Sequence, residues 1–175
     1  KLLQALSFQV GNEVSYNELG NLLDLDNQTV EKYISLLEQI FVVFRVGAFS
    51  RNLRKELKRT RKIYFYDNGI RNSLIAQFAP AELRQDIGAL WENYIISERV
   101  KYLKYNQVWA NTYFWRTRDQ QEIDWIEEKD GKFSVYEFKW NPKKRSKKFS
   151  KTFTGNYDVE TQKVITPLNY LAFLT

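Results

Sequence analysis

The sequence predicts an α+β protein with two domains, which we assign to residues 1–80 and 81–175. Three observations lead to this fold class. Two short amphipathic helices follow one another near the start, a strongly basic hairpin comes after them, and residues 121–140 alternate as two strands around Asp130-Gly131. With only 7 glycines and 3 prolines among 175 residues, the composition favours ordered structure in both domains.

The charge balance of the chain favours an acidic partner. The sequence has 27 lysines and arginines against 21 acidic residues, which gives a formal net charge of +6. Because no basic amphipathic helix and no long apolar span occurs, we expect nucleic acid, DNA first, and no membrane.

The absence of two residue types excludes several kinds of site. The chain has no cysteine and no histidine, so disulfides, thiol nucleophiles, histidine triads and zinc sites built on these ligands are ruled out. Any hydrolysis must therefore use carboxylates, lysine, tyrosine or a bound metal ion. The chain opens on Lys1 inside an apparent helix, with no methionine and no signal peptide, and we expect a fragment of a longer cytoplasmic protein.

Three helices are predicted at the start of the first domain. Ser15 and Glu18 have the spacing of a capping box, and Asp26 is a suitable cap for the third helix. The apolar side chains recur at helical spacing: Leu2, Leu3 and Leu6, then Leu19, Leu22 and Leu23, then Val30, Ile34 and Leu37. We expect Leu19, Leu22 and Leu23 to be buried on the apolar face of the second helix. The second and third helices, separated by a tight turn, are typical of a helix-turn-helix.

Two predicted strands, residues 40–46 and 63–66, bracket a segment rich in positive charge. Its basic residues are Arg51, Arg54, Lys55, Lys58, Arg59, Arg61 and Lys62. A basic hairpin after a helix-turn-helix is the wing of a winged helix, which can lie along a phosphate backbone. A solvated charged loop is an equally weighted alternative. Asp24 and Asp26 near the third helix argue against sequence-specific readout.

The second domain is predicted to run helix, three strands, a basic helical or irregular span, and a final strand. Asp67-Asn68-Gly69 is a predicted turn, followed by a helix that Pro80 interrupts, and we place the domain boundary there. A long amphipathic helix covers residues 88–104, and strands are expected at 113–116 and 164–166, with a short closing helix after them.

The hairpin at 121–140 carries the residues that point to chemistry. Asp130-Gly131 suits a type I′ turn, and alternation puts Glu122 and Asp124 on one face of the first strand and Glu137 and Lys139 on one face of the second. If these strands pair, three carboxylates and one ammonium project together. Such a group can hold a divalent cation and an activated water.

The expected cation is magnesium, or manganese, because these ions prefer oxygen ligands and retain several waters. Lys139 can orient or deprotonate the attacking water, or stabilise the charge that develops on the phosphoryl oxygen. Glu92 shares a helical stripe with Ile96 and Leu103, so its carboxylate faces a packed side and is a candidate fourth member. The alternatives are an exposed Glu137–Lys139 ion pair and a rim Glu92 bonded to an arginine.

A second basic tract follows Asn141-Pro142, close enough in sequence to Lys139 to flank a phosphate-bearing substrate. Phe149 and Phe153 interleave with it. The predicted nucleic-acid contacts in this tract are Lys143, Lys144, Arg145, Lys147 and Lys148.

The element order, the phrase GALWE with Gly88 and Glu92, Asp124 on one strand and EFK at 137–139 resemble the PD-(D/E)XK restriction-endonuclease-like superfamily, with its αβββαβ fold. Nearly the whole chain is similar to the C-terminal half of a group of bacterial and archaeal AAA+ ATPases. In that group a P-loop ATPase is followed by a winged helix and a nuclease-like domain of unknown function. The sequence departs from the superfamily pattern in having Ile123, not proline, before Asp124.

The resemblance implies that Glu92, Asp124 and Glu137 bind magnesium and that Lys139 serves the attacking water. ATP would bind only in an N-terminal ATPase domain of the same protein, since no P-loop motif is present here. We expect a DNA-cleaving or DNA-processing module. The alternatives are a catalytically silent nucleic-acid-binding or regulatory module of the ATPase, and a winged helix that forms a homo-oligomer or docks another protein.

Overall fold

A computed structural model describes residues 1–50, 61–117, 119–143 and 149–175, which form a mixture of helices and strands. The chain divides into two compact units. The described residues of the first unit are 1–46 and 61–97, and those of the second are 47–50 and the described residues from 98 onward. The predicted boundary after residue 80 lies within the first unit.

The first unit combines short helices with three strands. Its elements are α1 (Leu2–Phe8), β1 (Glu13–Val14), α2 (Tyr16–Leu23), α3 (Asn27–Gln39), β2 (Val43–Ala48), β3 (Arg61–Phe65), α4 (Asn68–Leu74), a 3₁₀ turn (Ala81–Leu83) and the first part of α5 (Ile87–Tyr105). β1 pairs antiparallel with β3, and β3 lies between β1 and β2. The last two residues of β2 belong to the second unit.

Side-chain caps set where three of these helices begin. The Ser15 hydroxyl accepts a hydrogen bond from the Glu18 N–H at 3.3 Å, and Asp26 accepts from the Thr29 N–H at 2.9 Å, so both predicted caps are confirmed. Asp67 accepts from the N–H of Ile70 at 2.9 Å. The residues predicted as a turn at 67–69 therefore form the cap and first turn of α4.

The core of the first unit follows most of the predicted helix stripes. Leu6, Leu19, Val30 and Ile34 are buried, as their spacing indicates. Leu22 is 67% exposed, so its predicted burial is wrong. Because the buried residues of α2 are Leu19 and Gly20, the 100° turn per residue directs position 22 away from the core.

The second unit has the predicted order of elements. After the end of α5 come β4 (Asn111–Arg116), β5 (Glu122–Lys129), β6 (Lys132–Phe138), α6 (Lys151–Thr154), β7 (Val159–Ile165) and α7 (Leu171–Leu174). β4, β5 and β6 are antiparallel neighbours, and β7 runs parallel to β6. Gly47 and Ala48 pair parallel with β4. The final strand begins earlier than predicted, at residue 159. None of the described helices has both the length and the apolar character needed to cross a membrane.

The turn between β5 and β6 has the geometry that the sequence predicts. Lys129 pairs with Lys132, and the two residues between them have positive φ, 54° at Asp130 and 78° at Gly131. Two consecutive positive φ angles are typical of a type I′ turn. The predicted hairpin is confirmed.

Aromatic side chains fill the core of the second unit. Ile123, Ile126, Phe133, Val135 and Phe153 form its buried cluster, against which Phe49, Phe149 and Tyr157 pack. Phe149 and Phe153, the aromatic residues of the second basic tract, therefore contribute to this core.

Two arginines of the first unit share one carboxylate. The side chains of Arg71 and Arg84 are each 4% exposed, and both donate to Asp86. Arg84 donates to the two carboxylate oxygens through Nε and Nη2, each at 2.8 Å. These bonds hold the pKa of Asp86 below its usual range, chiefly through Arg84, with burial opposing and Arg71 adding to the effect.

We expect Asp86→Asn to lower the free energy of unfolding by about 2 kcal/mol at pH 7, because two buried guanidiniums lose their counter-charge. A depressed pKa stabilises the fold above the unfolded-state pKa and loses that effect as pH falls through the folded-state pKa. The difference between the two proteins, measured by urea denaturation, should therefore shrink as pH falls below about 4. Glu82→Gln, an exposed acid nearby, is the matched control. Equal midpoints for both variants at pH 7 would contradict this role.

Candidate functional site

Asp124 and Glu137 lie at the same end of the β5–β6 ladder. Trp125 pairs with Tyr136, so Asp124 precedes that pair on β5 and Glu137 follows it on β6. Asp124 Oδ2 also accepts a hydrogen bond from the backbone N–H of Phe138 at 2.8 Å. The register of the hairpin thus brings the two carboxylates together, and the backbone of β6 orients one of them.

A bulge in β5 contains Asp124. Tyr113 of β4 pairs with Ile126, but Trp115 pairs with Ile123, so two steps on β4 match three steps on β5. Ile123 and Ile126 consequently reach the same core cluster although they are three residues apart. Strict alternation along β5, as predicted, is therefore wrong at this point. Bulges redirect side chains and are common beside active sites.

Lys139 lies beside both carboxylates, as the spacing of EFK predicts. Its Nζ is 3.8 Å from Asp124 Oδ2 and 3.5 Å from Glu137 Oε2. Its backbone N–H donates to the carbonyl of Ile165, the last residue of β7, at 2.9 Å. The Lys139 side chain is 32% exposed, whereas those of Asp124 and Glu137 are 13% and 9% exposed. The three groups form one cluster with its ammonium nearest to water.

The surroundings of Glu137 favour its protonated form. Burial raises the pKa of Glu137 above its usual range, Lys139 opposes this, and the neighbouring carboxylates of Asp124 and Glu122 raise it further. Glu122 therefore acts electrostatically on the cluster. A cation close to these oxygens would relieve the repulsion between the carboxylates.

Glu92 lies in the first unit, whereas Asp124, Glu137 and Lys139 lie in the second. Its Oε1 accepts hydrogen bonds from the Tyr64 hydroxyl at 2.7 Å and from Lys62 Nζ at 3.3 Å. A Cβ at Gly11 would come within 3.5 Å of the same oxygen. The partially buried carboxylate thus has a cationic partner, and that partner is a lysine. That Glu92 is a metal ligand remains a prediction.

Most residues of the two basic tracts lie outside the described ranges. These are Arg51, Arg54, Lys55, Lys58 and Arg59 in the first tract, and Lys144, Arg145, Lys147 and Lys148 in the second. Lys143 is exposed. The Arg61 guanidinium lies over the ring of Tyr16, and its Nη1 is 3.5 Å from Glu31 Oε1.

Lys62, a predicted nucleic-acid contact, is buried in the first unit. The residue is 2% exposed and bonded to Glu92, so a phosphate in solvent cannot reach it without displacing that bond. Lys62 is buried because β3 pairs with β1 within the first unit. Lys62 pairs with Glu13 of β1, which a count of positive charges along the sequence does not reveal.

Sequence reasoning missed a buried carboxylate on β5, that of Glu127. Glu127 is 8% exposed and accepts from Arg99 at 2.7 and 2.8 Å and from the indole N–H of Trp125 at 2.8 Å. Arg99 also donates to the carbonyl of Phe173 at 2.6 Å. The sequence offered one signal of this burial, a glutamate that directly follows the apolar residues Trp125 and Ile126. This network joins α5, β5 and α7 within the second unit.

In the part of the chain that the structure describes, no group of three or more acidic side chains already has the spacing of a metal centre. Two carboxylates and one ammonium converge. The identity of a cation and its complete ligand set therefore stay predictions.

The chain is similar to two families of protein domains. Residues 1–87 match the family described as Domain of unknown function (DUF8612), and residues 87–170 match Domain of unknown function (DUF4143). Uncharacterized proteins of Mycobacterium bovis and Mycobacterium tuberculosis are each 28% identical to it over 131 residues. That alignment covers 74% of this chain and 29% of each relative, so the chain spans less than a third of their length. No solved structure matches the chain. The first half of the sequence is therefore similar to a DUF8612 domain and the second half to a DUF4143 domain.

Proposed function

We propose that the second unit hydrolyses or processes DNA phosphodiester bonds with a bound magnesium or manganese ion. The observation that carries this proposal is the convergence of Asp124 and Glu137 on Lys139, with both carboxylates within 4 Å of the lysine Nζ. Two carboxylates with an adjacent amine are suited to metal-assisted phosphoryl chemistry.

The two carboxylates share one task in this proposal, and Lys139 has another. Asp124 and Glu137 supply oxygen ligands, and the bond from the Phe138 N–H fixes the orientation of Asp124. A divalent cation held by these two carboxylates would supply a water of lowered pKa and would neutralise charge on the phosphate. Lys139, which is partly exposed, orients that water or stabilises the developing negative charge.

The charge of the chain supports nucleic acid as the substrate. The net charge is +6, and the exposed Lys143 follows Lys139 by four positions. The basic tracts would neutralise phosphates on either side of the reacting bond. Residues 1–80 would act as a winged helix-turn-helix that grips duplex DNA, since α2, α3, β2 and β3 follow in the required order.

We also propose that the chain is the C-terminal part of a cytoplasmic AAA+ ATPase. Both matched relatives are more than three times the aligned length, which leaves room for a P-loop domain in such a protein. The resemblance of residues 1–175 to the region that follows an ATPase domain supports this arrangement. ATP would then bind in the N-terminal domain, and the second unit would have a PD-(D/E)XK-like fold.

A catalytically silent nucleic-acid-binding module is the second candidate. It is favoured by the position of Lys139, whose ammonium already lies near both carboxylates and can neutralise part of their charge. In that case the chain binds DNA with an affinity that falls as salt rises, and cuts nothing.

We expect Lys139→Ala to slow metal-dependent DNA cleavage by about a hundredfold, because the reaction loses its positioned amine. The 175-residue chain is incubated with branched, linear and single-stranded DNA and magnesium or manganese, and the products are separated by gel electrophoresis. Lys129→Ala removes the same charge from an exposed position at the other end of the hairpin and should cut within twofold of the unaltered chain. If the unaltered chain cuts no DNA, or Lys139→Ala cuts equally fast, the hydrolytic proposal is wrong.

A further inference from the structure

Two large aromatic side chains are exposed at the C-terminal end of α5. Tyr105, the last residue of the helix, is 80% exposed, and Trp109 in the following loop is 86% exposed. Exposure of an indole to this extent leaves most of its apolar surface in water. Tyrosine and tryptophan are enriched at binding interfaces, where the apolar part of the ring is covered and its polar atom stays in reach of a partner.

Trp109 lines a cleft of about 410 Å³ within the second unit. The walls are formed by Val100, Leu103 and Val108, and Lys104 and Gln107 add an ammonium and an amide. This volume lies in the range of roughly 300–1000 Å³ found for small-molecule clefts, in which apolar walls are combined with a few polar groups. The cleft is thus large enough for one flat ring system.

We propose that this cleft binds an unpaired base of single-stranded nucleic acid, with the base stacked on Trp109 and a flanking phosphate near Lys104. The inference rests on the proposed nucleic-acid partner and not on hydrolysis, because none of the cleft residues belongs to the cluster around Lys139. It adds a second contact point on the same unit.

The chemistry of the cleft selects this ligand over other acidic molecules. Every base has a flat π face that stacks on an exposed indole, and this contact tolerates any base sequence. Lys104 is the charged residue among those lining the cleft, so the lining carries a positive charge that complements a phosphate. The amide of Gln107 can donate to and accept from the edge of a base.

The strand must be single because the bases of a duplex are stacked on one another. Trp109 can reach a base only where the base is unpaired, as in a single strand, a loop or a frayed end. Binding at this cleft should therefore discriminate between single-stranded and duplex DNA.

The test measures binding of the 175-residue chain to three fluorescent probes by anisotropy, in EDTA so that no cleavage occurs. The probes are a ten-residue oligothymidylate, a backbone of equal length without bases, and a ten-base-pair duplex. Trp109→Ala should weaken binding of oligothymidylate by about fivefold to a hundredfold, the range for loss of one stacked base. Trp109→Phe should bind it with intermediate affinity, since a smaller ring still stacks.

Three comparisons make the result decisive. Leu168→Ala removes another highly exposed apolar side chain and should bind all probes as the unaltered chain does. Trp109→Ala should bind the probe without bases and the duplex within twofold of the unaltered chain. The proposal is overturned if Trp109→Ala binds oligothymidylate normally, if it weakens all three probes equally, or if it changes the oligomeric state in sedimentation. These comparisons do not depend on cleavage, because EDTA is present. They do not depend on the basic tracts either, because every protein variant compared keeps those tracts.

Discussion

Glu127→Gln is expected to lower the free energy of unfolding of the second unit by about 3 kcal/mol, because it leaves a buried guanidinium without its carboxylate. The side chains of Arg99 and Glu127 are 13% and 10% exposed, and two parallel hydrogen bonds join them. Glutamine keeps the shape of the side chain but can accept through one oxygen only. The same change also weakens the acceptor of the Trp125 indole N–H. Urea denaturation followed by circular dichroism measures the difference.

Two further variants isolate the buried charge as the cause. Glu160→Gln removes the same charge from an exposed ion pair with Lys132 in the same unit, and we expect a much smaller change because water screens that pair. Replacing both partners, as Arg99→Met with Glu127→Leu, should recover much of the lost stability, since no unpaired charge remains. A midpoint for Glu127→Gln equal to that of Glu160→Gln would show that the buried pair does not stabilise the unit.

Short-range signals in the sequence predicted the elements that carry the candidate site. A cap such as Asp26 and a turn such as Asp130-Gly131 are determined by neighbouring residues, so their patterns can be recognised without a fold. The helix at 87–105 and the order of the strands followed from periodicity in the same way. Asp124, Glu137 and Lys139 came together because a two-residue turn fixes the register of the whole hairpin.

Features that depend on distant strands could not be predicted. The bulge at Asp124 exists because β5 must match β4, and nothing in the local sequence of β5 marks an extra residue. Lys62 is buried because β3 pairs with β1, and Glu127 is buried because Arg99 approaches from α5. In both cases a charged residue that is typical of a surface finds its partner about thirty positions away, beyond any pattern of helix or strand.

Asp124→Asn is expected to lower the affinity of the chain for manganese by at least about tenfold, the lower bound seen when even outer-shell partners of a metal are removed. Cleavage should fall by at least about a hundredfold if the proposed site is active. Asparagine can still accept the hydrogen bond from the Phe138 N–H, so the hairpin keeps its local geometry. Isothermal titration calorimetry with manganese, and gel-based cleavage assays on the same preparations, measure the two effects.

Lys139→Ala separates metal binding from chemistry, because its two effects should have opposite signs. Removal of the ammonium, which lies 3.5 Å from Glu137 and 3.8 Å from Asp124, leaves the carboxylates more negative, so manganese should bind more tightly while cleavage slows. Asp124→Asn, in contrast, lowers both quantities. Glu128→Gln, at the opposite end of β5, should alter neither. Unchanged manganese affinity in Asp124→Asn would exclude this carboxylate as a ligand, and the binding module would then be the better description of the second unit.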